Sequence, residues 1–320
     1  MGMKYIAVDC GKADTKVCMA MDDGSILKKL VPTTMEEASG MEELQRETES
    51  GIKEVVFEGR SCVIGVPSNN MVRDNSKKSL IHKVLTLSMI GDSVADGSYV
   101  RAAIGCPLQC YSSKTERKEY LDYILPQGKV EIELNGIRKR FVIDRRAVFA
   151  EGYGPLLLFP ERFMNRTVGV IDIGGFNVNG CYFLNGRLIP EANITNQLGK
   201  YKLMSSLVQP LNRLAPAADF HIYEIEEALR TGYVINAEAR SKEILEDMKE
   251  KHVDQIVESC RKAGWNLDFC DLIFCGGTAS LLEEQIKKRF PGAFIPEESN
   301  FINAMGYLNK VLPLSRTFLI

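Results

Sequence analysis

The chain has 320 residues, 45% of them hydrophobic and 26% charged, with 40 Lys and Arg against 42 Asp and Glu for a net charge of −2. So much apolar sequence can bury one large core or two of ordinary size, which excludes a disordered chain. The neutral balance also excludes direct, charge-driven binding to nucleic acid, which runs on clustered Lys and Arg. No run approaches the roughly 18 to 20 apolar residues of a membrane span. The opening MGMKYIAVDCGKAD turns polar too soon for a signal peptide, so a cytoplasmic protein with no membrane partner is expected. The nine cysteines are odd in number and include no CxxC pair and no neighbouring histidine; only Cys106 and Cys110, with Pro107 between them, come near ligand spacing. Buried thiols in a reducing compartment fit this pattern better than a zinc site.

Along the chain, residues 4–20 read KYIAVDCGKADTKVCMA: an apolar strand ending in Asp9, a glycine-containing turn, and a second strand over Lys16 to Ala20. Asp23-Gly24, Asn135-Gly136 and Asn185-Gly186 each stand between strand-like runs and predict tight hairpins, because these residues tolerate positive φ. The charged stretch from Met35 to Glu54 predicts a solvated loop with a short helix. Helical periodicity covers Ser79 to Ile90, Lys114 to Ile124, Leu203 to Leu214, Tyr223 to Thr231, Ala237 to Lys262 and Ala279 to Arg289. Residues 167–183, TVGVIDIGGFNVNGCYF, repeat the opening plan of strand, Asp, glycine turn and strand. The order predicts an α/β chain of two similar halves, as a duplication would leave.

The first turn comprises Asp9, Cys10, Gly11, Lys12, Ala13, Asp14, Thr15 and Lys16. Such a turn can aim successive backbone N–H groups inward as an anion site, with the Lys16 ammonium on the same phosphates. Equally, Asp9 can simply cap the turn. The second copy, Asp172, Ile173, Gly174, Gly175, Phe176 and Asn177, strengthens the phosphate reading. Two facing turns could hold a polyphosphate, with Asp9 and Asp172 directed through water at Mg²⁺. A third element, Gly276, Gly277 and Thr278, follows an apolar strand and opens a helix, where close approach of an oxygen-rich ligand is favoured.

At these three turns the sequence resembles the actin-like ATPase superfamily, whose phosphate-1, phosphate-2 and adenosine motifs occur in this order. Two further segments resemble the plasmid-segregation actins of the ParM/StbA family. Ala103-Ile104-Gly105-Cys106-Pro107-Leu108 is similar to their "GLP" strand end, and Asn300 to Tyr307 to their C-terminal "ANxxGxxK" segment, with Ile302 where Ala is usual. The resemblance implies an actin-like fold of two duplicated ribonuclease-H-like domains around a nucleotide cleft. Domain I would span 1–165, with 304–320 returning to it, and domain II 166–303.

The Glu151-Gly152 pair resembles the family element whose glutamate positions the attacking water; the residues alone also allow a carboxylate at a helix N-terminus. Glu224 and Glu227 lie on a helix that in the superfamily contacts ribose and adenine, although a solvated face would read the same. Gly199, in Leu198-Gly199-Lys200, resembles a glycine turn near the nucleotide. His82, His221 and His252 have no partner pattern and read as surface or core residues. The family implies ATP or ADP with Mg²⁺ as cofactors and hydrolysis coupled to a homopolymer filament. It also implies plasmid segregation through a DNA-binding, ParR-like adaptor, which suits a chain without a basic stripe. Alternatives on the same fold are a sugar-type kinase, whose zinc cluster this sequence lacks, and a non-hydrolysing scaffold.

Overall fold

A computed structural model describes residues 2–37, 51–67, 76–214, 219–234 and 237–313. The chain divides into two compact units, Met1–Phe159 with Phe301–Ile320, and Pro160–Asn300.

In the first unit the strands are β1 (Met3–Cys10), β2 (Asp14–Ala20), β3 (Ile26–Pro32), β4 (Met35–Glu37), β5 (Lys53–Phe57), β6 (Arg60–Ile64), β7 (Ser98–Cys106), β8 (Gly128–Leu134) and β9 (Ile137–Ala150). They form one sheet in the order β3-β2-β1-β7-β9-β8-β5-β6-β4. β1, β7 and β9 run parallel at its centre, and the second halves of β1 and β7 are apolar on both faces, buried at every residue. The helices are α1 (Leu80–Ser93), α2 (Leu108–Ser112), α3 (Lys114–Ile124) and α4 (Gly154–Leu158). One core gathers Ile6, Val8, Leu85, Ile90, Ile104, Tyr120 and Phe141 around α1 and α3.

The second unit repeats the opening plan with β10 (Thr167–Ile173), β11 (Val178–Leu184), β12 (Arg187–Leu188), β13 (Ile194–Asn196) and β14 (Asp271–Cys275), in a five-stranded sheet. Its helices are α5 (Lys200–Leu214), α6 (Ile222–Thr231), α7 (Glu238–Lys262) and α8 (Glu283–Arg289). Leu203, Leu207, Ile225, Leu245, Ile256 and Phe274 build its core. A last helix, α9 (Ile302–Val311), returns to the first unit and packs on β1, β2, β7 and α4.

The duplication extends to register. Asp9 faces Lys16 across β1 and β2, and Asp172 faces Asn179 across β10 and β11. The turns close alike, with the Gly11 N–H donating to the Asp14 carbonyl at 3.0 Å and the Gly174 N–H to the Asn177 carbonyl at 2.9 Å.

Two of the three expected hairpins are two-residue turns. Asn135 and Gly136 have φ of 49° and 75°, and Asn185 and Gly186 have φ of 50° and 71°, as a right-twisted strand pair requires. Asp23-Gly24 instead sits in a loop of five residues. The Asp23 carboxylate accepts from both the Ser25 N–H and its hydroxyl, and Met21 closes onto Ser25 at 2.9 Å. That side-chain turn competes with the shorter hairpin. Met35–Glu37 is strand rather than loop, and β5 begins at Lys53; residues 38–50, where a short helix is expected, lie outside the described residues. The expected helix over Ala279 to Arg289 divides into a 3₁₀ turn, Ser280–Leu282, and α8.

Candidate functional site

In the first unit, β1 delivers Asp9 to the end of the sheet. Side chains alternate across a strand, so Cys10 and Thr15 enter the core while Asp9 and Lys16 take the opposite face. The Thr15 hydroxyl is fully buried, 3.1 Å from the Cys10 sulfur and 2.9 Å from the Thr33 hydroxyl, a structural placement for a residue expected at the phosphates. Lys16 Nζ donates to the Asp14 carbonyl at 3.2 Å and so arches over the turn. A Cβ on Gly11 would stand 2.7 Å from that carbonyl oxygen and 3.3 Å from Lys16 Nζ, so only glycine fits there. Lys12 is buried, and the Ala13 carbonyl accepts from the Thr33 N–H at 2.8 Å, which ties the turn to the segment after β3.

Asp9 is 7% exposed and Glu151 8% exposed. Glu151 occupies a tight turn after β9 that the Tyr153 N–H closes onto the Ala150 carbonyl, with Gly152 at φ 81°. Its carboxylate therefore does not cap α4. It pairs with Lys77, whose Nζ lies 2.5 Å from Oε1 and 3.1 Å from the Cys10 carbonyl oxygen. α9 completes the cluster. Asn303 hydrogen-bonds the Asp9 carboxylate and accepts from the Gly154 N–H at 3.2 Å, and the Tyr307 hydroxyl donates to the Ala150 carbonyl at 3.0 Å. Gly105, beside Asp9 on β7, leaves room for both Asp9 and Tyr307.

Burial pushes the Asp9 carboxyl above the ordinary aspartate range, against the opposing pull of Lys16 and Lys77, while Glu151 adds to the rise. Burial alone would lower Lys77, but Glu151 and Asp9 more than reverse this and its ammonium is held above the usual lysine value. For an acid raised in the folded state, ionisation costs stability at every pH above the raised value, and the cost is relieved as pH falls through it toward 3.8. Asp9→Asn is therefore expected to raise the melting temperature of the nucleotide-free protein at neutral pH by roughly 2–4 °C. A lower melting temperature would show that ion pairing at Asp9 outweighs its desolvation.

In the second unit three glycine elements meet. The Gly174 carbonyl accepts from the Lys200 N–H and from the Thr278 hydroxyl, both at 3.0 Å, and the Thr278 N–H donates to the Ile173 carbonyl. The Gly175 and Phe176 carbonyls accept from the Tyr201 and Gly199 N–H groups at 2.8 and 2.9 Å, and Phe176 stacks on Tyr201. A Cβ on Gly199 would lie 2.4 Å from the Phe176 carbonyl carbon, so this glycine lets α5 start directly on the turn. That contact also explains why the helix begins at Lys200, three residues before its apolar periodicity. Gly276, at φ +87°, is held to Ser299 in both directions; a Cβ there would come within 2.4 Å of Asp172 Oδ1. Gly277 is open, with nothing nearer than the Asn300 Cβ at 3.8 Å. Asp172 itself is 9% exposed.

Glu224 and Glu227 are not gathered at these turns. The Glu224 carboxylate accepts from the His221 N–H at the start of α6, Glu227 pairs with Arg230, and both line an open pocket of about 420 Å³ with Phe220, Tyr223 and Tyr233. Their neighbour Glu226 is the acid that reaches Lys200, at 2.5 Å. His252 Nε2 donates to the Leu198 carbonyl at 2.9 Å, and His82 is bonded to the Ser79 hydroxyl. Seven of the nine thiols are buried. Among the described residues no helix is long and apolar enough to cross a membrane. Sequence reasoning missed Lys77, which lies in no motif and 74 positions from its partner. Asn303 and Tyr307 carried a signal only as part of a family segment.

Residues 7–154 match the model of the actin-like proteins' N-terminal domain. The Alp12 filament structure is 26% identical over 97% of this chain and 98% of that one, with a TM-score of 0.74. Ta0583, an archaeal actin homologue, gives 20% identity, 97% and 99% coverage and a TM-score of 0.77. A ParM filament from Clostridium botulinum gives 15%, 97% and 99%, and 0.74. No curated protein matches the sequence. Duplicated β-turn-β openings, each with a buried aspartate at the end of its first strand, and a fold shared along nearly the whole chain give this protein the actin-like fold, with a first half that matches the N-terminal domain of the actin-like proteins.

Proposed function

We propose that the protein is a cytoplasmic ATPase that assembles into filaments and moves plasmid DNA through a DNA-binding adaptor. The observation that carries the ATPase is the cluster in the first unit, where Asp9, Lys16 and Glu151, from β1, β2 and the end of β9, gather beside a glycine turn. The archaeal homologue in complex with ADP and a Bacillus thuringiensis ParM with ATP support nucleotide binding, and the filament structures of Alp12 and ParM support self-assembly.

The donor set fits Mg²⁺. Asp9 is a buried carboxylate that its two lysine neighbours leave incompletely compensated, and Mg²⁺ favours carboxylate oxygens approached through its own water shell. By family resemblance, Asp9 of the first unit and Asp172 of the second are the carboxylates assigned to it. Bound MgATP supplies a γ-phosphoryl group with its charge partly neutralised. The backbone N–H groups of the Gly11 and Gly174 turns hold phosphate oxygens, and Lys16 adds an ammonium. Gly199, Gly276, Gly277 and Thr278 allow the nucleoside to lie close to backbone, with Glu224 and Glu227 assigned to it by family resemblance alone. Glu151 orients water by accepting its hydrogen bond, which phosphoryl transfer needs more than a strong base.

The test mixes purified protein with MgATP or a slowly hydrolysed analogue and follows light scattering and phosphate release against protein concentration. Scattering that sets in above a critical concentration, with phosphate release following it, is the expected result. ADP formation that depends on an added sugar, without scattering, would replace the filament reading with a kinase. Asp172→Asn is expected to lower MgATP turnover at least tenfold, since it removes one of the two metal-directed charges; unchanged turnover would reject that assignment.

A further inference from the structure

We propose that Lys77 is a positioning residue for ATP hydrolysis, which fixes the Glu151 carboxylate against the phosphate turn through a buried ion pair. The inference rests on the ATPase reading above. Its basis is geometric. Lys77 is 6% exposed, and its ammonium bridges Glu151 Oε1 at 2.5 Å and the Cys10 carbonyl at 3.1 Å, so one side chain joins the β9 end to the β1 turn. Asp9 adds its field to the same ammonium. Lys77 reaches this position from just before α1, at a φ of 51°, a left-handed conformation that lysine seldom adopts and that the surroundings must enforce.

A purely structural role explains the pair poorly. Taking two charges out of water is costly, and apolar residues of similar volume serve stability as well or better. What the pair does provide is orientation. Glu151 sits in a two-residue turn with Gly152, and the Lys77 ion pair is a short contact that sets the direction of its carboxylate. A misplacement of about 1 Å in a group that must hold a water can reduce the rate about a hundredfold. The Lys77 ammonium holds the carboxylate from one side, and its bond to the Cys10 carbonyl fixes that carboxylate relative to the turn that carries Asp9.

Lys77→Met, Lys77→Arg, Glu151→Gln and the Lys77→Met/Glu151→Gln double variant test this, with phosphate release, affinity for a fluorescent ATP analogue and nucleotide-free melting temperature as readouts. Lys77→Met is expected to lower kcat about a hundredfold with KM and analogue affinity within about threefold of wild type, and Lys77→Arg to recover a large part of the rate. Once Glu151 is Gln, Lys77→Met should cost no further rate. Melting temperatures should be non-additive in the same way, with the double variant above Lys77→Met, because the single change leaves a buried carboxylate without its closest cation. Full turnover in Lys77→Met, or a rate loss that persists undiminished in the Glu151→Gln background, would overturn the proposal while leaving the ATPase reading intact. If Lys77→Met unfolds, Lys77→Gln, which keeps a hydrogen-bond donor, carries the same comparison. Absence of hydrolysis by the wild-type protein would instead remove the ATPase reading, and this one with it.

Discussion

Phosphate release by Glu151→Gln at saturating MgATP is expected to fall by a factor of roughly 10² to 10⁴ while ATP-dependent light scattering persists. The carboxylate sits with Asp9 in one buried cluster and is the residue we propose to position the attacking water, so its loss should slow the chemical step and spare nucleotide-driven assembly. Glutamine is the informative replacement. Alanine would leave the Lys77 ammonium buried without its nearest acid, at a cost of about 3–5 kcal/mol, and lost turnover would then be confounded with lost stability. Glutamine keeps the shape and an acceptor for Lys77. Measured melting temperatures should therefore separate the two variants, with Glu151→Ala well below Glu151→Gln. Wild-type phosphate release by Glu151→Gln would take Glu151 out of the mechanism.

Gly306→Val is expected to be the most damaging single change for the fold. A Cβ at 306 would stand 2.7 Å from both the Cα and the carbonyl oxygen of Gly154, and a Cβ at 154 would stand 2.4 Å from the Ile302 carbonyl. Two backbones touch there without side chains between them, and neither can retreat from rigid neighbours. Overpacking of a well-filled contact costs about 1–3 kcal/mol and more where backbone must move, so a drop of roughly 10 °C in melting temperature is expected for a unit of this size. Because α9 also carries Asn303 and Tyr307, turnover should fall with it. A variant that melts like wild type would mean that α9 tolerates displacement, and that its bonds to Asp9 and Ala150 are incidental.

Local chemistry is legible in the sequence. Asn-Gly pairs made the turns they imply, because positive φ at two successive positions leaves few other conformations, and the apolar strands ending in Asp9 and Asp172 were legible from their pattern alone. Asp23-Gly24 failed for an equally local reason, an aspartate side chain that found Ser25 first. The site was legible only where its residues are close in sequence. Gly11, Lys16, Gly174 and Gly276 announce themselves as turns. Lys77, Asn303 and Tyr307 act on residues 74, about 149 and 157 positions away, and no periodicity or spacing reports a contact made by folding. Strand alternation turns the Thr15 side chain into the core, one residue out of phase with Lys16.

The return of α9 sets an order of events during synthesis. The chain leaves the first unit at Phe159 and comes back only at Phe301, so the bonds from Asn303 to Gly154, Tyr307 to Ala150 and Asn309 to Leu157 must wait for the whole of the second unit. At about 5–20 residues per second, a ribosome needs on the order of ten seconds or more to make the intervening stretch. Through that interval the nascent first unit holds Asp9 and Glu151 without the helix that supports them.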